Sequence, residues 1–406
     1  MNRTDRAKQT LLRLLSSLPD DAPLELDEVG WRELAAISGQ HLLGPQLHQS
    51  MRDRGLETQV PAWIADRFAV DYRDSAVRAL LFQRTLMRMA RLLSQRGISH
   101  TLLKGARLAW HAYPHPALRP MRDIDVLVPE DRALEAFEWL LANGCARYSG
   151  RNKTGEQALA HDKHLPPIRM VDTDIQIEVH TRLFMPAISA SADAEMLQPA
   201  LLLERSVARP LENVEAAFLP AEEALVHCVV HAVYDSRFNN GPMVLSDLRY
   251  MLAAEPLDWA RVWALLEQGG WTRAAILLLR LTERLHGPLP IEWPGSARPE
   301  VPEKLQLEAA YAMMADKERT RDTEIRLDGA VAAGGPSRYL RLAFPRKFQL
   351  KDFARTSSDG AWVWLLYPAW LATRLIRFGT SLFSRRQQRE VSGLIDVMGW
   401  VRGGQA

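Results

Sequence analysis

Cysteine is scarce in this chain of 406 residues, which contains only Cys145 and Cys228. The two are far apart and form no Cys-x-x-Cys pair, which argues against a disulfide framework and against a cysteine-based zinc site. Such cysteine usage is typical of a reducing compartment. The amino-terminal segment "MNRTDRAKQTLLRLLSSLPDD" also lacks the uninterrupted apolar core of a signal peptide, because charges are scattered through it. We therefore predict a cytoplasmic protein.

The chain has little net charge and little lysine. Its formal net charge is +2, and only eight of its 51 basic residues are lysines. A hydrophobic content of 47% and a charged content of 25% are ordinary for a soluble globular protein. The length allows two or three domains, each with its own core. Because no strong positive charge is clustered, a nucleic acid is possible but less favoured as a partner.

The sequence also lacks a long uninterrupted hydrophobic run. The most apolar stretch, residues 361–383, is interrupted by Pro368, Arg374 and Arg377. Its continuous apolar part is shorter than the roughly 20 residues that cross a bilayer, so we predict no transmembrane segment. We expect amphipathic carboxyl-terminal helices that pack on the body of the protein. Peripheral contact with a membrane surface through 361–383 is the alternative.

Apolar periodicity divides the chain. Helical spacing covers the amino-terminal region, short β-branched segments alternate with helices in the middle, and helical spacing then returns. This pattern predicts an α+β fold in which a small mixed β-sheet with helices is flanked by a helical amino-terminal region and a helical carboxyl-terminal half. The predicted units are a helical region (1–95), the α/β core (96–215), a helical domain (216–290), a linker-rich segment (291–338) and basic amphipathic helices (339–406).

Two predicted strands carry acidic residues at alternating positions. In "DIDVLV" (123–128), Asp123 and Asp125 share one face while the apolar side chains share the other. In "DTDIQIEVH" (172–180), Glu178 and His180 likewise lie opposite the apolar face. If these strands are neighbours, Glu178 reaches the aspartate pair. Three carboxylates on one sheet face form an oxygen-rich site suited to Mg²⁺ or Mn²⁺.

A bare Asp-x-Asp is also typical of a solvated strand edge, so its surroundings matter. Lys104 and Gly105 directly follow the preceding strand and provide a cation beside a flexible turn, as a triphosphate requires. Arg119 and Arg122 bracket the loop that leads to the aspartates. A solvated edge does not need all of these features together.

The segment "LLKGARLAWHAYPHPALRPMRDIDVLVPEDRALEAFEWLLANG" resembles the signature of a bacterial nucleotidyltransferase family of unassigned function within the DNA polymerase β-like superfamily. Members pair a lysine-glycine turn with a "YP…LRPM.DIDLLV" segment, then an acidic-x-His strand, then a helix bearing histidines. The resemblance spans about residues 30–285 and, more loosely, "LRLAFPRKFQL". The residues that carry it here are Lys104, Gly105, Tyr113, Pro114, Arg119, Pro120, Met121, Asp123, Asp125, Glu178 and His180.

The resemblance implies a metal-assisted attack by an acceptor hydroxyl or amine on the α-phosphate of a nucleoside triphosphate, with release of pyrophosphate. Asp123 and Asp125 would be catalytic and hold the metal ions. Glu178 would bind the second ion or take the proton of the acceptor. The sequence departs from the family pattern at Glu178, where aspartate is more usual, and the extra methylene shifts the carboxylate.

The resemblance also implies the nucleotide contacts. Lys104 and the amide of Gly105 would hold the β- and γ-phosphates. Arg119 would neutralise charge on the triphosphate or, alternatively, hold its loop through a salt bridge. The superfamily usually has Gly-Gly or Gly-Ser at this turn, with the aspartates closer behind.

Histidines form a third group of candidates. His227 and His231 stand four residues apart and so share one helix face, where with Asp247 they would line the acceptor side of the cleft. His180 shares the face of Glu178. Buried, hydrogen-bonded histidines are the alternative for all three. His161 and His164 lie in a loop rich in charge and are expected to be solvated.

We therefore expect an enzyme that transfers a nucleoside monophosphate from a nucleoside triphosphate to a small-molecule or peptide acceptor with Mg²⁺ or Mn²⁺. Alternatives are a toxin-like, protein-modifying or tRNA-modifying transferase, or a non-catalytic nucleotide-binding regulatory protein.

Overall fold

The computed structural model describes residues 3–20, 22–148, 154–185, 197–295, 297–315, 347–354, 360–373, 376 and 385–403. In them, many helices surround one seven-stranded mixed sheet, which confirms the predicted α+β class. The α-helices are α1 (Arg3–Leu15), α2 (Glu28–His41), α3 (Gly44–Arg54), α4 (Ala62–Gln95), α5 (Lys104–His111), α6 (Ala133–Ala142), α7 (Gly155–His161), α8 (Pro199–Glu204), α9 (Ala221–Val230), α10 (Met243–Ala254), α11 (Trp259–Gln268), α12 (Thr272–His286), α13 (Glu303–Met313), α14 (Lys347–Ala354) and α15 (Arg385–Val401). The strands are β1 (Thr101–Leu102), β2 (Asp123–Leu127), β3 (Cys145–Arg147), β4 (Ile168–Met170), β5 (Ile175–His180), β6 (Val207–Leu211) and β7 (Val214–Phe218).

The sheet has the strand order β3-β4-β5-β2-β1-β7-β6. β2 runs parallel to β5, and β1 runs parallel to β7. The other neighbouring pairs are antiparallel. The two strands that carry the acidic residues are therefore adjacent at the centre of the sheet, which is the condition for Glu178 to reach the aspartates.

The central strands separate two hydrophobic cores. Ile124 and Val126 on β2 pack with Ile177 and Val179 on β5 and with one face of α4. Leu127, on the opposite face of β2, packs into the core of the helical half. Because side chains alternate along a strand, the acidic residues of β2 and β5 also point toward the helical half.

Helix α4 lies before the predicted boundary at residue 95, but it contributes to the core of the sheet. Its residues Phe82, Leu86, Met89 and Leu93 are buried in the same cluster as the strands. These apolar residues recur at three- and four-residue intervals, so they form one stripe on the helix. Helix α4 therefore packs on the α/β core although the helix precedes that core in the chain. The predicted domain boundaries stay a prediction.

The carboxyl-terminal part is described in pieces. Among the described residues, no helix combines the length and hydrophobicity that a transmembrane span requires. Trp362, Trp364 and Leu365 are largely exposed, while Leu350, Val363 and Trp370 form a small cluster of their own. The described part of 287–302 contains neither helix nor strand, in keeping with a linker. Arg374, Arg377 and the segment 316–346 lie outside the described residues.

Candidate active site

A cavity of about 560 Å³ lies between the acidic face of the sheet and the helical half. β2 and β5 supply its acidic floor, and the start of α5 and the loop before β2 supply cationic side chains. The carboxyl-terminal end of α2 and the segment from α9 to α10 form the opposite wall. The lining residues are His41, Leu42, Lys104, Gly105, Arg119, Pro120, Met121, Arg122, Asp123, Asp125, Lys163, His164, Glu178, Cys228, His231, Ser236, Asn239, Asn240, Met243, Val244 and Asp247.

The pairing of β2 with β5 brings the carboxylates together. Asp125 lies directly opposite Glu178 in this parallel pair, and neighbouring strands run about 4.8 Å apart. One ligand atom from each of Asp125, Glu178 and His180 lies within 4.8 Å of the other two. The side chain of Asp125 is 5% exposed and that of Glu178 is 15% exposed. Glu178 therefore does reach Asp125.

Asp123 is the first residue of β2 and lies half-buried at the open end of the strand. Burial, followed by the negative charges of Asp125 and Glu178, raises the pKa of Asp123 to about 7. Removing a carboxylate from water disfavours its charged form, and like charges add to this effect. When no metal ion is bound, this carboxyl group therefore holds a proton close to neutral pH.

Lys104 and His180 stabilise the charge on Asp125. The ammonium of Lys104 lies 3.3 Å from each carboxylate oxygen, and Nε2 of the fully buried His180 lies 2.7 Å from Oδ1. Burial opposes ionisation, but Lys104 and then His180 outweigh it and hold the pKa of Asp125 well below its usual range. Burial lowers the pKa of His180, but Asp125 raises it overall. His180 thus positions the carboxylate from behind.

The turn from β1 into α5 aims Lys104 at this cluster. Lys104 is the first residue of α5 and has a left-handed φ of 39°, which is unfavourable for a residue with a side chain. The preceding amide of Leu103 donates to the carbonyl of Asp125 at 3.0 Å, which ties the turn to β2. A Cβ at Gly105 would lie 2.9 Å from both Nη1 of Arg119 and Sδ of Met121, so only glycine fits without displacement.

Arg119 forms a salt bridge across the cavity edge. Its Nε and Nη2 each donate to Asp247 at 3.0 Å, and the hydroxyl of Tyr113 donates to the same carboxylate at 2.7 Å. Gln46 donates to the Tyr113 hydroxyl at 3.2 Å. The structure therefore contains the loop-holding contact. Nη1 remains beside Gly105 at the cavity, so a triphosphate contact stays a prediction.

Residues 27–287 match the model of a family described as "Uncharacterised nucleotidyltransferase". The chain belongs to this nucleotidyltransferase family. The match covers the whole sheet and the helical half through α12, and so includes every residue of the acidic cluster. No curated protein matches the chain.

The histidines of this chain occupy different environments. His231 lines the cavity, whereas His227 is 1% exposed and packs edge-on against Phe184 with ring centroids 5.7 Å apart. His180 is also absent from the lining because it lies behind Asp125. Of the three histidines assigned to the acceptor side from the sequence, only His231 faces the cavity.

His161 is exposed, as expected, but it is the last residue of α7 and does not lie in a loop. The expectation that His164, in the loop before β4, is solvated was wrong. His164 forms a β-bridge with His180, which places the loop beside β5. Its Nε2 consequently lies 3.4 Å from Glu178 with a side chain only 24% exposed. The charge-rich local sequence does not reveal this pairing across the chain.

A short π-helix at His231–Asp235 shapes the opposite wall. Nδ1 of His231 lies 3.3 Å from Oδ2 of Asp235, and Nζ of Lys163 lies 2.5 Å from the same oxygen. The hydroxyl of Ser236 lies 3.5 Å from Nε2 of His231. Burial, and then the charge of Lys104, lowers the pKa of His231 to about 4, so its imidazole is neutral at pH 7.

Sequence reasoning missed several residues of this wall. Lys163 and Asp235 form a nearly buried salt bridge, and the buried side-chain oxygens of Asn239 and Asn240 have no hydrogen-bond partner in the described structure. π-Helical turns are rare and often occur at functional sites. The scarcity of lysine was the one signal that could have drawn attention to Lys163, since only eight occur in the chain.

Proposed function

We propose that the protein is a nucleotidyltransferase of the DNA polymerase β-like type. It would transfer a nucleoside monophosphate from a nucleoside triphosphate to a hydroxyl or amine of a small-molecule or peptide acceptor. The observation that supports this most strongly is the pairing of Asp125 with Glu178 on the cavity floor, directly beside Lys104. The bacterial origin and the cytoplasmic location remain predictions.

The donor set fits a hard divalent cation. Asp123, Asp125 and Glu178 offer carboxylate oxygens, which Mg²⁺ and Mn²⁺ prefer, and they share one sheet face at the cavity. A bound ion would supply positive charge for the reacting phosphate and for the attacking oxygen. The hydrogen bond between His180 and Asp125 is of the kind that orients metal-binding carboxylates.

The cationic rim suits the phosphates. Lys104 and the Gly105 amide lie at the start of α5, where backbone N–H groups point outward and favour anions. Nη1 of Arg119 lies beside them, while Asp247 holds the rest of the guanidinium. These three groups would bind the β- and γ-phosphates and leave the α-phosphate over the acidic floor.

The opposite wall suits an acceptor. His231 is neutral at pH 7, and Asp235 holds its Nδ1. The Ser236 hydroxyl lies 3.5 Å from Nε2, and the hydroxyl of an acceptor would take its place there. His231 would therefore take the proton of an acceptor hydroxyl, with Glu178 as the other candidate base. A cavity of about 560 Å³ favours a small molecule or a single side chain.

Calorimetric titration with Mg²⁺ and each of ATP, GTP, CTP and UTP would test the nucleotide site. We expect at least one of them to bind, and we expect slow pyrophosphate release when the acceptor is water. Replacing Asp123 and Asp125 together by alanine should abolish pyrophosphate release while circular dichroism still shows a folded protein. Asp131→Ala, at an exposed position after the same strand, is the matched control and should keep wild-type release. Nucleotide binding with no pyrophosphate release by the wild type would instead support a regulatory protein.

A further inference from the structure

The ammonium of Lys104 occupies the position of a counter-ion within the acidic cluster. It lies 3.3 Å from both carboxylate oxygens of Asp125, and its side chain is only 15% exposed. Asp123 and Glu178 are the next charges that act on it. A buried carboxylate cluster needs a cation to be stable, and Lys104 supplies one without any bound metal.

Lys104 and a metal ion would compete for the same oxygen atoms. Oδ1 of Asp125 is bound by both Lys104 and His180, and Oδ2 is bound by Lys104. A hard cation needs direct access to carboxylate lone pairs. Two cations so close together also repel each other strongly in a partly buried site. Metal binding through Asp125 therefore requires the ammonium to move away.

We propose that Lys104 is a displaceable counter-ion, so that the site binds a divalent cation weakly by itself and tightly only together with a nucleoside triphosphate. This inference rests on the proposed function. The phosphates attract the ammonium away from Asp125, and the same movement opens the carboxylates to the metal. The position of Lys104 suits this movement of its ammonium, because Lys104 is the first residue of α5 and lies beside Gly105 and Arg119 at the cavity rim.

The cavity contains a second buried lysine that serves as a matched control. Lys163 is 8% exposed, lines the same cavity and pairs with Asp235 instead of the acidic cluster. Replacing it by methionine removes the same charge from the same cavity. Lys163→Met therefore reports the general electrostatic effect, whereas Lys104→Met reports that effect together with release of Asp125.

Mn²⁺ titration of the full chain, followed by the electron paramagnetic resonance signal of free Mn²⁺, tests the inference without any need for activity. In the absence of nucleotide, we expect Lys104→Met to bind Mn²⁺ about tenfold or more tightly than the wild type. Lys163→Met should stay within about threefold of the wild type. Adding Asp125→Asn to Lys104→Met should abolish the gain. A non-hydrolysable ATP analogue should tighten Mn²⁺ binding by the wild type and do so less for Lys104→Met.

Thermal unfolding with and without Mn²⁺ provides a second measurement. Lys104→Met and the milder Lys104→Gln should gain stability from Mn²⁺ alone, and the wild type should not. Equal Mn²⁺ affinity in the wild type and in both Lys104 variants would overturn the counter-ion role, even if the enzyme releases pyrophosphate. Tighter Mn²⁺ binding by Lys104→Met, with no nucleotide bound by any form, would support the counter-ion role and overturn the proposed transferase.

Discussion

Replacing Asp123 by asparagine should stabilise the metal-free protein at alkaline pH. Asparagine has nearly the shape of a protonated aspartate but cannot ionise. Burial and the adjacent charges of Asp125 and Glu178 raise the pKa of Asp123 to about 7 in the folded state. In the unfolded chain the group has its ordinary pKa of about 3.9.

The sign and the magnitude of the stability change follow from the difference between the folded and the unfolded pKa of Asp123. Because the folded pKa is raised, the stabilising contribution of the protonated group is fully present below the unfolded pKa and is lost as the pH rises through the folded pKa. A rise of about three pKa units, at about 1.4 kcal/mol per unit, corresponds to about 4 kcal/mol in total. About 3 kcal/mol of this lies between pH 5 and pH 8. Between pH 5 and pH 8, the free energy of unfolding of the wild type therefore falls by about 3 kcal/mol relative to that of Asp123→Asn.

Urea unfolding of both proteins at several pH values, with a chelator present, measures the difference directly. Contributions from ionisable groups outside the acidic cluster occur in both proteins and cancel. Asp131→Asn, at an exposed position outside the acidic cluster, is the matched control and should not reproduce this effect. A constant difference between Asp123→Asn and the wild type from pH 5 to pH 8 would refute the reasoning, because Asp123 would then be ionised throughout.

Three further substitutions, with Gly399→Ala as a control, test the cavity wall and the residue behind its acidic floor. Gly105→Ala should cost about 1 to 3 kcal/mol in urea unfolding and weaken nucleotide binding, because its Cβ would meet two side chains at 2.9 Å. Gly399→Ala, where a Cβ meets nothing within 4 Å, should be neutral or slightly stabilising. Asp247→Ala should cost about 3 to 5 kcal/mol, because it leaves the nearly buried guanidinium of Arg119 unpaired. His180→Ala should cost about 2 to 4 kcal/mol, because it removes a 2.7 Å bond from a buried carboxylate and leaves a cavity.

Each of these has a distinct contrary result. Equal stability of the Gly105→Ala and Gly399→Ala proteins would show that the turn can move aside. A loss below about 1 kcal/mol in Asp247→Ala would mean that the pair behaves as an exposed surface ion pair. Unchanged Mn²⁺ affinity and stability in His180→Ala would show that Asp125 does not depend on its buried partner.

Much of the acidic face could be predicted from local pattern. Side chains alternate along any strand, so Asp123 and Asp125 had to share one face, and so did Glu178 and His180. The structure confirms both, together with the α+β class. The match to the family model confirms a nucleotidyltransferase family of unassigned function. The pairing of the strands could not be predicted in this way, because no local pattern determines which strands are neighbours.

Lys104 and His164 show where local pattern fails. The phosphate contact of Lys104 stays a prediction, but local pattern did not reveal its contact with Asp125, 21 positions along the chain, which forms because the turn after β1 is tied to β2. His164 was expected in solvent, but a bridge to His180 draws it against Glu178. Both outcomes depend on neighbours that are distant in sequence.

The amino-acid order alone was enough to establish which side chains share a face, because the repeat of a strand or helix depends only on nearby residues. Folding in three dimensions was needed to join Asp125 to His180 across 55 positions and Arg119 to Asp247 across 128 positions. Only packing of the helical half against the sheet could bury those charges together. Burial and proximity are what raise the pKa of Asp123, place the ammonium of Lys104 on the carboxylates and turn a row of acidic residues into a candidate site.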